Sequence, residues 1–345
     1  MSRQFHALAA TVAGGKLARF DYRMGELQPE QVEIEVTHCG VCHSDLSMLK
    51  NEWGMTKYPF VPGHEVVGRV VAAGSAVRGL QGEPGSPIGK AVGLGWFSQS
   101  CLACNSCLTG NQNLCTAAEM TIVGRHGGFA NRVRCHWGWA TPLPFGLDIE
   151  KAGPLFCGGI TVFNPIVEHG VAPTDRVGVV GIGGLGHLAL QFLNRWGCEV
   201  YAFTSNDNKR EEAKAMGAHH AVDSRSSAEL QALAGTLDFV ISTVSVNLDW
   251  PAFLNTLAPK GHLHIVGVVP DPLPVPTLPL IAGQRSISGT PVGSPAIIAK
   301  MLEFCSRHAI VPVTETFPMS AANEAFDHLE AGKARYRIVL KNDLN

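Results

Sequence analysis

The pattern of hydrophobic and polar residues changes character near residue 148. Before that point it predicts short β-strands, and Val32–Val36 alternates apolar and charged residues as a half-buried strand does. Three further β-rich runs are Val66–Ala73, Ala91–Phe97 and Phe129–Arg134. The first part of the chain is therefore expected to be a β-rich domain without a long helix.

From Asp148 onward, apolar strands alternate with helical runs, which indicates a parallel, doubly wound sheet. The predicted helices are 157–167, 185–196, about 209–216, and 296–308. The predicted strands are 176–180, 199–203, 238–242, 262–268 and a terminal segment at 335–341. The proline-rich segment 270–279 is expected to be a loop or an edge extension.

Length and composition narrow the class of protein. A chain of 345 residues suggests two domains, and 46% hydrophobic against 16% charged residues indicates a globular protein. The formal net charge of -2, without a block of Lys and Arg, argues against nucleic-acid and anionic-membrane partners. We see neither a signal-peptide pattern nor an apolar run near the ~20 residues of a membrane helix, so a cytoplasmic location is expected.

Cys42, His64 and Cys157 are candidate ligands of a catalytic zinc ion. They offer two thiolates and one imidazole, and three protein ligands with one open position are typical of catalytic rather than structural zinc. Cys39 and Cys42 also form a C-x-x-C pair, so a thioredoxin-like disulfide is an alternative.

Four further cysteines predict a second zinc site. Their spacing leaves two, two and seven residues between successive thiols, and four thiolates without an open position are typical of structural zinc. Iron–sulfur and disulfide interpretations are the alternatives. The four residues are Cys101, Cys104, Cys107 and Cys115.

The segment after the strand 176–180 has the G-x-G-x-x-G pattern of a dinucleotide-binding turn that opens a helix. Gly181 permits a tight turn, Gly183 allows a pyrophosphate to approach, and Gly186 lets helix and strand pack closely. A glycine-rich turn without a ligand is the alternative. The residues expected at the cofactor are Gly181, Gly183, Gly184, Leu185 and Gly186.

The end of the next strand indicates which cofactor binds. NAD sites normally place an acid there, whereas this chain has Thr204, Ser205 and Asn206, followed by Lys209 and Arg210. Hydroxyl groups and cations suit a 2′-phosphate, so NADP(H) is expected. Two observations favour other interpretations. Asp207 lies only slightly late for an NAD site, and the two cations could form the solvated face of a helix.

In this order, the motifs resemble the zinc-dependent medium-chain alcohol dehydrogenases, and most closely the cinnamyl alcohol dehydrogenase branch, which reduces aldehydes with NADPH. The motifs are Gly40–Asp45, Pro62–Glu65, the four cysteines, Cys157–Thr161, the glycine turn and Tyr336–Arg337. The resemblance implies a GroES-like β domain and a doubly wound Rossmann domain, with the active site in the cleft between them. It also implies a homodimer with two zinc ions per chain and a small alcohol or aldehyde as substrate.

The resemblance implies domain boundaries of 1–152 with 297–345 for the GroES-like domain, and 153–296 for the Rossmann domain. The four-cysteine lobe is expected at about 97–118.

The resemblance also implies roles for individual residues. Asp45 would orient the metal-bound His64, Glu65 would approach the metal during ligand exchange, and Ser44 would accept the alcohol proton. His43 is expected near the pyrophosphate. By analogy with the family, Val292 is expected near the nicotinamide, and Val268 is also expected to contact the cofactor.

This chain departs from the branch at Ser47, where a histidine usually ends the proton relay. Serine is not a base near neutral pH, so the proton must leave through His43, through water, or more slowly. Trp53, Trp96 and Phe97 either form the wall of an aromatic-tolerant substrate pocket or pack ordinarily. His126, His136 and His169 have no partner at ligand spacing.

Two other functions are compatible with the sequence. The first is an NAD-dependent polyol or amino-alcohol dehydrogenase, and the second is a non-catalytic NADPH-binding sensor or accessory protein. A clear NAD preference favours the first, and failure of every aldehyde tried favours the second.

Overall fold

The computed structural model describes residues 3–81 and 83–344. The chain forms two compact units. The first is Met1–Ile160 with Val292–Asn345, and the second is Thr161–Pro291. Sequence reasoning placed Cys157 in the second domain, whereas it belongs to the first unit. The reason is that the 3₁₀ turn Gly153–Phe156, just before Cys157, packs on the sheet of that unit.

The strands are β1 Arg3–Ala9, β2 Ala18–Met24, β3 Gln31–Val41, β4 Val66–Ala73, β5 Gly79–Leu80, β6 Glu83–Pro84, β7 Ala91–Leu94, β8 Phe97–Gln99, β9 Glu119–Met120, β10 Arg132–His136, β11 Thr141–Pro142, β12 Arg176–Val180, β13 Glu199–Thr204, β14 His220–Asp223, β15 Leu237–Ser242, β16 Leu257–Ile265, β17 Ser286–Gly289, β18 Thr314–Pro318 and β19 Arg337–Lys341. The helices are α1 His43–Leu49, α2 Asn105–Leu108, α3 Gly158–Glu168, α4 Gly186–Trp196, α5 Asn208–Ala215, α6 Ser227–Ala232, α7 Trp250–Thr256, α8 Thr277–Gly283, α9 Pro295–His308 and α10 Ala322–Glu330.

The main sheet of the first unit has the strand order β11-β7-β4-β3-β19-β18, and β10 also pairs with β3. Val32, Ile34 and Val36 of the central β3 are buried, as the alternation predicts. The prediction that this run is exposed on its other face is wrong at Glu33, which is also buried. The reason is that Arg132 and Arg134, on the neighbouring β10, bind its carboxylate.

The predicted strand Ala91–Phe97 is interrupted. β7 ends at Leu94 and β8 begins at Phe97, because the chain turns at Gly95 and Trp96. A Cβ atom at Gly95 would lie 2.5 Å from the carbonyl oxygen of Phe156, so no other residue fits there. Similarly, β10 begins at Arg132 rather than at Phe129.

The second unit contains a six-stranded parallel sheet with the order β14-β13-β12-β15-β16-β17. This confirms the predicted doubly wound sheet. Sequence reasoning missed β14, β17, α6 and α7, which are short. It described Pro270–Pro279 as a loop or an edge extension, whereas the helix α8 begins within it at Thr277. No helix in the described ranges combines the length and the apolar character that crossing a bilayer requires.

Candidate metal and cofactor sites

The end of β3 and the start of α1 build the first candidate metal site. Cys42 is the N-cap of α1, and its backbone N–H donates to Asp45 Oδ2 at 3.0 Å. The other carboxylate oxygen of Asp45 accepts from Gly63 N and from His64 Nδ1, both at 2.9 Å. One fully buried carboxylate therefore fixes both Cys42 and His64.

His64 presents an unused nitrogen. When Nδ1 of the neutral ring donates its proton to Asp45, Nε2 presents a lone pair. Nε2 is buried and has no hydrogen-bond partner in the part of the chain that the structure describes. A metal-ligating histidine is typically held in this way, with its other ring nitrogen bonded to a carboxylate.

Cys157 completes the group. Its Sγ lies 3.9 Å from Cys42 Sγ, and the donor atoms of Cys42, His64, Cys157 and Glu65 all lie within 4.8 Å of one another. The hydrogen bond with Cys157 lowers the pKa of the Cys42 thiol well below its usual value. Two thiols and an imidazole without another partner fit a zinc ion.

Glu65 is the fourth member, and Arg337 on β19 holds it. Arg337 donates to Glu65 Oε1, whereas Oε2 is buried without a hydrogen-bond partner among the described residues. Burial raises the pKa of Glu65 to about 7, although the Arg337 charge opposes the shift. A Cβ atom at Gly40 would lie 1.9 Å from Oε2, so only glycine leaves room for this carboxylate.

The predicted proton-relay residues lie beside this group. Ser44 Oγ is 3.7 Å from Cys42 Sγ. His43 is exposed, whereas Ser47 is buried. His43 is therefore open to water, whereas Ser47 has little contact with it.

Of the three predicted pocket aromatics, Trp96 lies next to His64 and Trp53 packs against Trp96. The Trp96 ring meets the His64 ring edge-on at 5.0 Å between centroids, and Trp53 lies 6.0 Å from Trp96. Phe97 does not belong with them. It is buried in the core of the first unit against Trp139, because successive residues around β8 point to opposite sides.

The four-cysteine lobe brings its sulfur atoms together. All four lie within 4.8 Å of one another, around α2 and the 3₁₀ turn Gln112–Leu114. The backbone N–H groups of Ala103 and Cys104 lower the pKa of the Cys101 thiol to about 6. A thiolate is the form that binds metal, so this group fits a closed structural zinc site.

The glycine turn borders a cavity of about 600 Å³ in the second unit. Gly181 has a φ of +89°, which favours glycine, and a Cβ atom at Gly186 would lie 1.9 Å from the carbonyl oxygen of Gly181. Gly186 therefore packs α4 against the turn rather than facing the cavity. The predicted residues that line the cavity are Gly181, Gly183, Gly184, Leu185, Thr204, Ser205, Asn206 and Lys209.

Arg210, one of the two cations expected at the cofactor, lies outside the cavity lining. Arg210 pairs with Asp207 at 3.2 Å and Glu229 at 3.6 Å and does not line the cavity, because acidic residues surround it. Arg225, after β14, lines the cavity instead. Sequence reasoning missed it because β14 was not predicted.

Thr243 and Val244 also line this cavity and were missed. They follow β15, so the rule that ligands bind at the carboxyl ends of parallel strands could have found them. Val268 is 65% exposed and lies outside the cavity lining. Val292 belongs to the first unit and packs on its core.

Comparison with known proteins identifies the family. Residues 28–145 match the alcohol dehydrogenase GroES-like domain, and residues 184–307 match the zinc-binding dehydrogenase family. An aldehyde reductase, AdhA, of Synechocystis is 55% identical over 339 residues, which covers 98% of this chain and 99% of that protein. This chain belongs to the zinc-dependent alcohol dehydrogenases.

Solved structures agree. A cinnamyl alcohol dehydrogenase of Sorghum bicolor is 34% identical with a TM-score of 0.92, and 99% of each chain is covered. A cinnamyl alcohol dehydrogenase of Helicobacter pylori, in complex with NADP(H), is 28% identical with a TM-score of 0.89 and the same coverage. The predicted family and fold are confirmed, and this alcohol dehydrogenase is a zinc-dependent oxidoreductase of alcohols and aldehydes.

Proposed function

We propose that this alcohol dehydrogenase reduces aldehydes to primary alcohols with NADPH, and catalyses the reverse oxidation, at the group formed by Cys42, His64 and Cys157. The observation that carries the proposal is His64 Nε2, a buried ring nitrogen beside two thiols with no hydrogen-bond partner among the described residues. Such a group has no evident structural role, whereas it suits a catalytic metal.

These three residues would hold zinc, which, when bound, acts as a Lewis acid toward the substrate oxygen. Reduction transfers a hydride from NADPH to the carbonyl carbon and adds one proton to the oxygen. Ser44 is positioned to deliver that proton, since its hydroxyl lies beside Cys42. The exposed His43 then returns the proton from solvent to Ser44. Trp53 and Trp96 keep water from the reacting carbon and favour apolar aldehydes.

The cavity at the glycine turn supports NADP(H) over NAD(H). No carboxylate stands at the end of β13, where Thr204, Ser205 and Asn206 line the cavity. Lys209 and Arg225 add two cations to the same lining. Asp207 is 82% exposed and pairs with Arg210, so it does not serve as a ribose ligand. A 2′-phosphate would be attracted here, because opposite charges are close together.

We also propose a cytoplasmic homodimer, as the family resemblance implies. β17 is an edge strand of the parallel sheet, paired only with β16 in the described part of the chain, and an edge strand can pair with a second chain. Light scattering after gel filtration should give twice the 36.8 kDa of one chain. A mass of one chain would contradict the dimer.

Turnover with matched variants tests the function. The purified protein is assayed with aromatic, aliphatic and terpenoid aldehydes, and kcat/KM is compared between NADPH and NADH. Cys42→Ser should abolish aldehyde reduction, and Cys198→Ala, a buried thiol of the second unit, should not. Undiminished turnover of Cys42→Ser would contradict the assigned site, and a clear NADH preference would contradict the cofactor.

A further inference from the structure

A second group of imidazoles lies in the second unit, away from the glycine-turn cavity. His169 follows α3, and His262 and His264 are on β16. Ligand nitrogens of these three rings lie within 4.8 Å of one another. The sequence-based expectation that His169 has no ligand partner was wrong, because its partners are far along the chain and only the fold brings them together.

The three rings converge on one atom, Ser288 Oγ on β17. The distances to it are 3.2 Å from His169 Nε2, 2.5 Å from His262 Nε2 and 2.8 Å from His264 Nδ1. A hydroxyl has one proton and two lone pairs. It can therefore donate to only one of the three nitrogens, and any other lone pair that faces it stays unsatisfied.

The outer nitrogens of two rings are held by other hydroxyl groups. His262 Nδ1 lies 2.7 Å from Ser286 Oγ, and His264 Nε2 lies 3.1 Å from Thr290 Oγ1. When each ring donates outward, its inward nitrogen presents a lone pair to the centre. This arrangement, in which an oxygen fixes the outer N–H, is what metal-ligating histidines require.

The backbone makes this geometry rigid. His262 pairs with Ser286 and His264 with Ser288 in the register of β16 and β17, so these four side chains share one face of the sheet. Phe239 on β15 stacks on His262 with 5.4 Å between ring centroids and 12° between the planes. Both strands and the stacked ring therefore hold the imidazoles in place.

Access and charge also suit a cation. His169 and His262 line a cavity of about 270 Å³ whose other lining residues include Asp175, Asp238 and Lys260. Burial lowers the pKa of His262 to about 4 and that of His264 to about 3, so both rings are neutral at pH 7. Neutral imidazole is the form that binds metal.

We propose that His169, His262 and His264 form a third metal site, which binds a divalent transition ion such as Zn²⁺ or Ni²⁺. Imidazole nitrogen is a preferred donor for these ions. A bound ion needs nitrogens at about 2.0–2.1 Å, so the Ser288 hydroxyl rotates away from the centre on binding. The ion would tie the end of α3 to β16 and β17 and stabilise that edge of the sheet.

Calorimetry with Ni²⁺ as the probe tests the site. The full-length protein, without a histidine tag and already loaded with its two family zinc ions, is titrated at pH 7.5. We expect one Ni²⁺ per chain and a rise in Tm. His262→Ala should weaken Ni²⁺ binding at least tenfold, whereas His220→Ala, an exposed histidine of the same unit, should leave it unchanged.

NADPH binding serves as the check that each variant is folded, and His169→Ala replaces His262→Ala if the latter fails it. A crystal soaked with Ni²⁺ should show an anomalous peak between the three rings. Equal Ni²⁺ affinity in wild type and the folded histidine variant would overturn the proposal. A soaked crystal in which Ser288 still occupies the centre would also overturn it, and would mean that the rings form a hydrogen-bond network only.

Discussion

Asp45 is the residue on which the geometry of the first metal site depends. It accepts hydrogen bonds from Cys42 N, Gly63 N and His64 Nδ1, which leaves Cys42 Sγ and His64 Nε2 for a metal ion. It therefore acts by positioning two of the ligands and by fixing the tautomer of His64.

Asp45→Asn should lower zinc affinity by about 10- to 100-fold, because an amide binds His64 less strongly and can reverse its tautomer. Aldehyde reduction should fall in parallel while Kd for NADPH stays the same. Zinc retained against a chelator gives the measurement. The matched control is Asp21→Asn, which removes a similar carboxylate–histidine contact, to His6, from the surface. Equal zinc retention in the two variants would contradict the positioning role.

Glu33 shows how a charge is tolerated inside the first unit. It is 1% exposed and accepts from Arg3 at 3.0 Å, Arg132 at 2.8 Å and Arg134 at 2.9 Å. Burial alone would raise its pKa, but the arginines outweigh burial and lower it. A depressed pKa means that the folded state releases the proton more readily than the unfolded state.

Glu33→Gln should lower the free energy of unfolding by about 3 kcal/mol at pH 7, since it leaves Arg134 buried without its carboxylate. The ion pairs stabilise the protein above the unfolded pKa of Glu33, near 4.5, and this stability is lost as pH falls through the lower folded pKa. Urea denaturation from pH 7 to pH 3 measures the free energy of unfolding. With decreasing pH it should therefore fall less in Glu33→Gln than in the wild type. Parallel pH curves would contradict this assignment.

At the scale of elements, glycines of the same turn meet two different requirements, which are space for a ligand and close packing of a helix. A Cβ atom at Gly183 would meet no atom within 4 Å, whereas one at Gly186 would clash with the turn itself. The open space at Gly183 is therefore available to a ligand, whereas the absence of a side chain at Gly186 allows α4 to pack closely on the turn.

Gly183→Ala should raise Kd for NADPH at least tenfold with an unchanged Tm, because its methyl group occupies the place of the pyrophosphate. Gly186→Ala should lower the stability by about 1–3 kcal/mol through overpacking. Fluorescence titration of both variants measures Kd for NADPH, and thermal unfolding measures their stability. A large loss of Tm in Gly183→Ala would show that the open space has a structural purpose.

Arg225, which follows β14, lines the cavity where Arg210 of α5 was expected. Arg225→Ala should raise KM for NADPH roughly tenfold and leave KM for NADH unchanged, since a charged hydrogen bond contributes about 1.5–3 kcal/mol. Arg210→Ala, the residue expected from sequence, is the control and should affect both cofactors equally. If only Arg210→Ala raised KM for NADPH selectively, Arg210 rather than Arg225 would bind the 2′-phosphate.

At the scale of the molecule, the residues proposed to bind the metal and those proposed to bind the cofactor belong to different units. Cys42, His64 and Cys157 lie in the first, and the glycine-turn cavity lies in the second. Each unit has its own hydrophobic core. Loss of metal from one should leave the dinucleotide cavity of the other intact.

Zinc removal should therefore abolish turnover without abolishing cofactor binding. After dialysis against a strong chelator, Kd for NADPH should stay within about twofold, while aldehyde reduction disappears and returns with added zinc. Removal from the four-cysteine lobe should also lower Tm, because metal binding there contributes to folding. A parallel loss of NADPH affinity would show that the two sites depend on each other.

Much of this protein could be predicted from sequence because the decisive signals are local. Strand periodicity, the glycine turn and the four closely spaced cysteines each act over a few residues, so their spacing alone specifies their geometry. The absence of an acid after β13 is likewise readable without coordinates. Even Cys42 and His64 could be assigned to one metal site, because thiolate and imidazole are donors that zinc prefers.

Only the tertiary structure decided the long-range contacts. It assigned Cys157 to the first unit, buried Phe97 in the core, placed Arg225 rather than Arg210 in the cavity lining, and brought His169 to His262 and His264 around Ser288. Burial and side-chain direction depend on how strands pair and which units pack, and no short stretch of sequence carries that information. The chain itself specified which chemical groups are present, and packing determined which of them meet.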